Sequence, residues 1–483
     1  MNQLYLFLLG VWLTGPVLAQ TITLPEVLQL AQAQSVASKR ASTQLRTNRW
    51  QFRSFLAQFK PQLSLDGTLP NFTRSYIQVV QPDGNIQFEP VSNNNSLLNL
   101  SLSQNIALTG GSIFVQKQLQ RFDNFIQNNT LYNGIPFGIG IEQPLFQFNK
   151  MRWDRRIEPL LFAEGNQQFI ENLEQVSLTA TNLYFDLLVA QVNLQIAETN
   201  RTNNDTLYRI ALHKLKLGKV SQNDLLQLQL GVLNAEKDLA SARQTAAVAT
   251  LKLKSFIGFR DEVNGQPSPL NLAVPNQIPG LVVDVKRALD EAFANRSAAI
   301  GFRRRVMQST RDLEKARKNN GFNASLTAGY GLSNQGPSLG DVYVRPQNRE
   351  YVTLQFTLPI TTWGRARALV ETAKADLELA QQTVEQDKLT FEQEIYTQVT
   401  LLQMLREQAT LTAKADEIAQ NRYQIAQDRF KLSDLSVTDL SIATQEKDRA
   451  RRDAILALRD YWQAFYTLRL LTLYDFETNQ KIK

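Results

Sequence analysis

Apolar residues recur at steps of three and four without a miss from Leu225 through Leu228, Val232, Ala235, Leu239, Ala242, Ala246, Ala249 and Leu253 to Phe256. A second such run is Leu173, Val176, Ala180, Leu183, Leu187, Ala190, Leu194, Ala197. This spacing is the packing seam of a coiled coil, and its many alanines let neighbouring helices approach closely. A helix from about Phe169 to Leu217 would be roughly 70 Å long at the usual rise per residue, too long for a compact core. The 483 residues would otherwise suggest about three globular domains; the seams point to extended helices instead.

Between the helical stretches lie alternating ones. Leu98, Leu100 and Leu102 alternate with Asn99, Ser101 and Ser103. The same pattern recurs at Ile135, Phe137, Ile139 and Ile141, at Phe322, Ala324, Leu326, Ala328 and Tyr330, and at Val352, Leu354, Phe356 and Leu358. Strands of about ten residues, apolar on one face and polar on the other, match outer-membrane β-barrels, although a half-buried soluble sheet has the same alternation.

The chain reads as a duplication. Tyr208, Ile210, Ala211, Lys216, Leu217, Ser221 and Asp224 recur at an offset of 215 as Tyr423, Ile425, Ala426, Lys431, Leu432, Ser436 and Asp439. The offset also pairs Pro144 with Pro359 and carries the seam onto Leu440, Ala443, Lys447, Ala450, Ala454, Ala457, Tyr461, Ala464, Leu468 and Leu471, where only Lys447 is out of character. Upstream the offset becomes 261, pairing Ala31 with Ala292 and Ser64-Leu65 with Ser325-Leu326. The difference of 46 residues is room for two extra strands. The first half is therefore expected to hold about four strands, turning at 82–85, 109–111 and 128–129, and the second about two, joined by the loop 334–348. The expected layout is a leader 1–19, a first repeat 20–258 (helix 24–59, strands about 61–146, helices about 149–257), a linker 259–280, a second repeat 281–473 (helix 281–318, strands about 321–360, helices about 363–473) and a tail 474–483.

Residues Leu4 to Leu18 form an apolar stretch, and Val17-Leu18-Ala19 followed by Gln20 gives it the pattern of a signal peptide cleaved after Ala19. No later apolar stretch is long enough for a membrane helix, which excludes a multi-span helical protein. With no cysteine, disulfides and thiolate metal sites are impossible, and His213 is the one histidine. The formal charge of +7, from 52 basic and 45 acidic residues, is small for the length and does not argue for nucleic acid. No phosphate loop, nucleophile motif, histidine pair or carboxylate cluster emerges, so neither an enzyme nor a cofactor or metal site is expected.

Six or even four strands, giving about 18 or 12 in three copies, are fewer per chain than the eight of the smallest single-chain membrane barrels. An open edge in lipid leaves backbone groups unpaired at several kcal/mol each. Membrane strands would therefore have to be shared between copies. With the strand-ending Glu142-Gln143-Pro144-Leu145-Phe146 and the turn running from Leu217-Gly218 to Asp224-Leu225-Leu226, the chain resembles the TolC-like outer-membrane efflux proteins over essentially its whole mature length. The resemblance implies a mixed α/β membrane protein: a trimeric outer-membrane β-barrel continuing into a periplasmic α-helical coiled-coil barrel, built from two internal repeats. It implies the outer membrane of a Gram-negative bacterium with a large periplasmic part. It further implies a passive exit duct of a tripartite efflux or type I secretion system, partnered by a periplasmic adaptor (membrane fusion protein), an inner-membrane pump or ABC transporter, and outer-membrane lipid.

Gly218 suits a left-handed helix cap, while Ser221 and Ser436 can cap the returning helices with Asp224 and Asp439 three residues on. By the resemblance, the tips Gly218, Lys219, Val220, Ser221, Ser433, Asp434, Leu435 and Ser436 would dock the adaptor. Asp439 matches one of the aspartates that narrow the entrance of related tunnels, with Asp434 and Arg429 as further candidates. Phe430, Leu435 and Ile442 stand where that family pattern has Tyr, Arg and a second Asp. Two other classes share some of these features: a periplasmic adaptor, which should carry one hairpin flanked by β-domains, and a secreted coiled-coil structural protein, which needs no lipid-facing strands.

Overall fold

The computed structural model describes residues 21–483 apart from 217, 219, 260–261, 264–265, 268–269, 276–277, 279, 281 and 433. The expected leader 1–19, part of the expected linker, and Lys219 and Ser433 therefore lie outside the described residues. Eight helices organise the rest: α1 Leu24–Gln34, α2 Val36–Ala57, α3 Lys150–Lys216, α4 Gln222–Ile257, α5 Val285–Asn295, α6 Ser297–Asn319, α7 Arg365–Lys431 and α8 Val437–Thr472. Seven strands form one sheet: β1 Gln62–Thr68, β2 Phe72–Val80, β3 Ile86–Ile106, β4 Gly111–Asn124, β5 Asn129–Leu145, β6 Asn323–Gly336 and β7 Gln347–Thr357. The contacts divide the chain into two compact units, one of residues 1–44, 167–296 and 390–483, the other of 45–166 and 297–389.

The helices α3 and α7 each have 67 residues, about 100 Å at the usual rise. Both bounds of α7 lie 215 residues after those of α3, and both bounds of α8 lie 215 after those of α4. The bounds of α5 lie 261 after those of α1. The helices expected over 24–59 and 281–318 are each broken in two. At Ser35 (ψ 148°) and Arg296 (ψ 143°) the backbone turns extended, although each N–H still reaches the carbonyl four residues back. Ser35 Oγ accepts from the Ser38 N–H at 3.1 Å, and the Arg296 guanidinium donates to Glu171 at 3.1 Å. Periodicity does not show either break, although serine is a residue that favours caps.

In the first unit the α4 seam is realised position by position: every residue from Leu225 to Phe256 in that series is buried or half-buried. The middle of α3 is enclosed on a wider arc, with Glu174, Ser177, Thr181, Tyr184, Phe185, Leu187 and Leu188 all buried. The buried Thr181 hydroxyl bonds back to the Ser177 carbonyl at 2.9 Å, which satisfies it within the helix. Glu174 accepts from Arg469 at 3.1 Å, and Arg469 also reaches Asp475 at 2.7 Å. The tail is not loose: Tyr474–Asp475 pairs with Gln480–Lys481, and Tyr474 and Phe476 are buried. Thr21–Ile22 runs parallel to Asn271–Leu272.

In the second unit the sheet order is β7-β6-β5-β4-β3-β1, with β2 also on β3. Leu63 to Gly67 pair with Leu102 to Leu98, and Phe72 to Val80 with Asn94 to Ile86, so β1 and β2 follow one another along the same side of β3. The sheet thus has six tracks, four from the first half and two from the second. The registers align Leu65, Leu100, Val115, Ile139, Leu326 and Leu354 on one face, and Ser64, Ser101, Gln116, Thr327 and Thr353 on the other. On the second face Phe114 and Tyr351 lie over Gly140 and Gly329, where an added Cβ would approach the rings to 2.4 and 2.5 Å. The apolar face is uncovered in the single chain: Leu65 is 66% exposed, Leu354 58% and Val352 76%. Among the described residues both edges, β1–β2 and β7, lack a neighbouring strand. No helix among the described residues is long and apolar enough to cross a membrane.

Candidate functional site

The first unit contains the two turns in which α3 passes to α4 and α7 to α8. At the first, Gly218 adopts φ +71° with open space around its missing Cβ, and its N–H bonds to the Leu215 carbonyl at 2.9 Å. Only glycine takes this left-handed geometry without a steric cost. Ser221 caps α4: its Oγ accepts from the Asp224 N–H at 3.1 Å and donates to the Asp224 carboxylate at 2.7 Å. At the second turn Ser436 repeats the cap with Asp439, at 3.1 and 2.6 Å. Both acidic residues sit in a first turn, where the helix dipole favours them.

Arg429 and Asp434 are brought together. The guanidinium Nε lies 3.0 Å from the carboxylate, on an exposed surface, and the Asp434 N–H returns to the Arg429 carbonyl at 3.0 Å. Such an exposed pair contributes little stability but sets the shape of the turn. Phe430 is buried between Tyr423 and Leu440, with Leu435 packed alongside, and the Lys214 ammonium sits 5.2 Å from the Phe430 ring centroid. The two side chains that depart from the family's polar pattern therefore build an apolar plug beneath the second turn. Ile442, the third departure, is 45% exposed. Beneath the first turn Ala211, Leu225 and Leu228 form the matching cluster.

A buried polar cluster lies further along the same helices. Lys447 and Asp448 are 3.1 Å apart, with side chains 10% and 6% exposed. Asn200 donates to Asp448 at 2.6 Å and Asn203 to the Tyr423 hydroxyl at 3.0 Å. The Lys447 ammonium lies 4.4 Å from the Tyr423 ring centroid. Burial, with Asp448 adding to it, pushes the Tyr423 hydroxyl above its usual range. Next to the cluster is a cavity of about 280 Å³ lined by Asn203, Leu207, Ile210, Tyr423 and Phe430 among others. Sequence reading missed this cluster; its one visible signal was a lysine standing in a heptad seam. Among the described residues no group of three acidic or histidine side chains could hold a metal.

Likeness to known proteins is found first in the second half of the chain: residues 288–472 match the family model for outer membrane efflux proteins. That segment is similar to the outer membrane efflux proteins. Solved structures carry the likeness over nearly the whole chain. The CmeC outer membrane channel of Campylobacter jejuni aligns with TM-score 0.65 at 16% identity, covering 95% of this chain and 86% of that one. The outer membrane protein VceC of Vibrio cholerae aligns at 0.64 and 14%, covering 95% and 97%. The open-state MtrE channel of Neisseria gonorrhoeae aligns at 0.62 and 15%, covering 95% and 89%. At these identities the structures speak to fold alone. Comparison with curated proteins yields no match. The resemblance to efflux proteins read from the sequence is thus borne out.

Proposed function

We propose that the chain is the outer-membrane exit duct of an efflux or secretion machine, passive and without chemistry of its own. The observation that carries this reading is the sheet: an apolar face exposed across all six tracks, joined to two unpaired edges. In water such a face and such edges invite aggregation. In lipid the face is satisfied, but the edges must close. Edge β7 of one copy pairing with edge β1–β2 of the next closes them, and three copies give a barrel of about eighteen strands, within the known range. The polar face then lines the lumen. The shared element spacings of 215 and 261 residues support two internal repeats, each of helix, strands and a helical hairpin.

In this reading the long hairpins form the periplasmic tunnel, and their turns, at Gly218, Lys219, Val220 and Ser221 and at Ser433, Asp434, Leu435 and Ser436, receive a periplasmic adaptor linked to an inner-membrane pump. Asp439, with the Arg429–Asp434 pair, lines the tunnel entrance. The leader 1–19 directs export. The test is biochemical: the protein should require detergent for extraction from outer-membrane fractions and migrate as a trimer that shifts to monomer on heating. A water-soluble monomer would sink the proposal.

A further inference from the structure

The net positive charge of the chain is not spread along it. Four helix ends abut the sheet: the end of α2 before β1, the start of α3 after β5, the end of α6 before β6, and the start of α7 after β7. Residues 46–60 hold four basic and no acidic side chains, 150–158 four and two, 311–320 four and two, and 361–374 three and one. These short segments total fifteen basic against five acidic residues, a balance of +10 in a chain whose whole balance is +7. Everything else is net negative.

These ends are neighbours within the second unit. The Arg155 guanidinium sits 5.9 Å from the Phe59 ring centroid, and the Trp153 indole donates to Glu314 at 3.0 Å. Two more arginines lie over indoles, Arg53 on Trp50 at 4.9 Å and Arg156 on Trp153 at 5.6 Å. The apolar face of β7 runs on through Leu358 and Ile360 to Trp363, which is 95% exposed, and the next charged residues are Arg365 and Arg367. Trp50 is likewise 61% exposed. An exposed indole next to a cation, at the end of an apolar strand face, has the composition of a membrane–water boundary: the ring sits among headgroups and the arginine extends towards phosphate.

We propose that this collar binds anionic phospholipid headgroups in the leaflet nearest the helices. This rests on the reading that the sheet is in the membrane. The collar lies at the helical end of the strands, so its phosphates are those of phospholipids on the side where the helices emerge. An acidic protein would also be attracted to the charge, but it would leave Trp50, Ile360 and Trp363 without apolar surroundings. Each cation close to an anionic surface adds attraction that falls off over a Debye length.

The test uses the full chain reconstituted in phosphatidylcholine vesicles carrying a trace of spin-labelled phosphatidylglycerol or spin-labelled phosphatidylcholine. The motionally restricted fraction should favour phosphatidylglycerol by about threefold at low salt, and the preference should fall towards one at about 1 M NaCl. Combining Arg49→Gln, Arg53→Gln, Arg365→Gln and Arg367→Gln should abolish most of it, whereas Arg243→Gln with Lys252→Gln on α4 should leave it intact. The salt series needs no variant, so a folding defect cannot mask the answer. Equal association of both lipids by stably inserted protein would overturn the collar while leaving the duct standing. Failure to insert into either vesicle would overturn both. Polyglutamate binding through the same arginines, without lipid preference, would assign the collar to an acidic protein instead.

Discussion

Lys447→Met tests how the buried cluster holds the hairpins. The native ammonium is 3.1 Å from Asp448 and 4.4 Å from the Tyr423 ring. Removing it leaves a carboxylate with a 6% exposed side chain, supported by the amide of Asn200 alone among the contacts described above. Breaking a buried pair in this way costs about 3–5 kcal/mol. Asp448→Asn should cost less, about 2–3 kcal/mol, because the stranded cation keeps a desolvated aromatic face worth about 2 kcal/mol. The double change Lys447→Met with Asp448→Leu removes both charges and should return to within about 1 kcal/mol of the native protein. The assay is denaturant unfolding in detergent, followed by circular dichroism at one fixed protein concentration so that assembly does not distort the comparison. A Lys447→Met cost below about 1 kcal/mol, or a double variant as unstable as the two single changes added together, would refute this account of the cluster.

Three further outcomes are expected. Ser221→Ala and Ser436→Ala should each loosen one turn by about 1 kcal/mol, read as faster amide hydrogen exchange over the first turn of α4 or α8 with the sheet unaffected. Leu473 occupies a left-handed cap (φ 48°) where the equivalent position 215 residues earlier is Gly258 (φ 72°), and it is fully buried. Leu473→Gly relieves about 1–2 kcal/mol of backbone cost but forfeits about 2–5 kcal/mol of burial, so it should lower the unfolding midpoint; a rise would show that strain dominates. Finally, burial pushes the hydroxyls of Tyr461 and Tyr466 up to about 12. Because the folded values lie above the unfolded value, their contribution is fully present below about pH 10 and is lost as pH rises towards 12. Titration of phenolate absorbance should find these two late, with unfolding setting in over that window.

Periodicity made the helices and strands legible because each reports a local rule: seams at three and four, faces at two. The α4 seam from Leu225 to Phe256 and the tip caps of Ser221 and Ser436 could be read from the sequence, whereas the first half, expected to hold about four strands, has five on four tracks. The offsets of 215 and 261 had the same origin, since matching local sequence adopts matching bounds. The features that escaped depend on particular side-chain contacts that no period reports. Ser35 breaks its helix while capping the next one through the Ser38 N–H, and Arg296 does so while reaching Glu171. Lys447 looked like an error in a seam until Asp448, Asn200 and Tyr423 surrounded it. Arg429 and Asp434 were candidates separately, and only the fold set them 3.0 Å apart.

The amino-acid order by itself determined the element types and the apolar faces of β3, β5, β6 and β7, because these follow from nearest-neighbour geometry. Tertiary structure alone decided which strands lie side by side and that β1 and β2 share one track. It also gathered the basic residues of four separate segments at one end of the strands. Pairing and clustering of this kind join separate segments, as when Ala324 of β6 meets Leu145 of β5, and no local period records them.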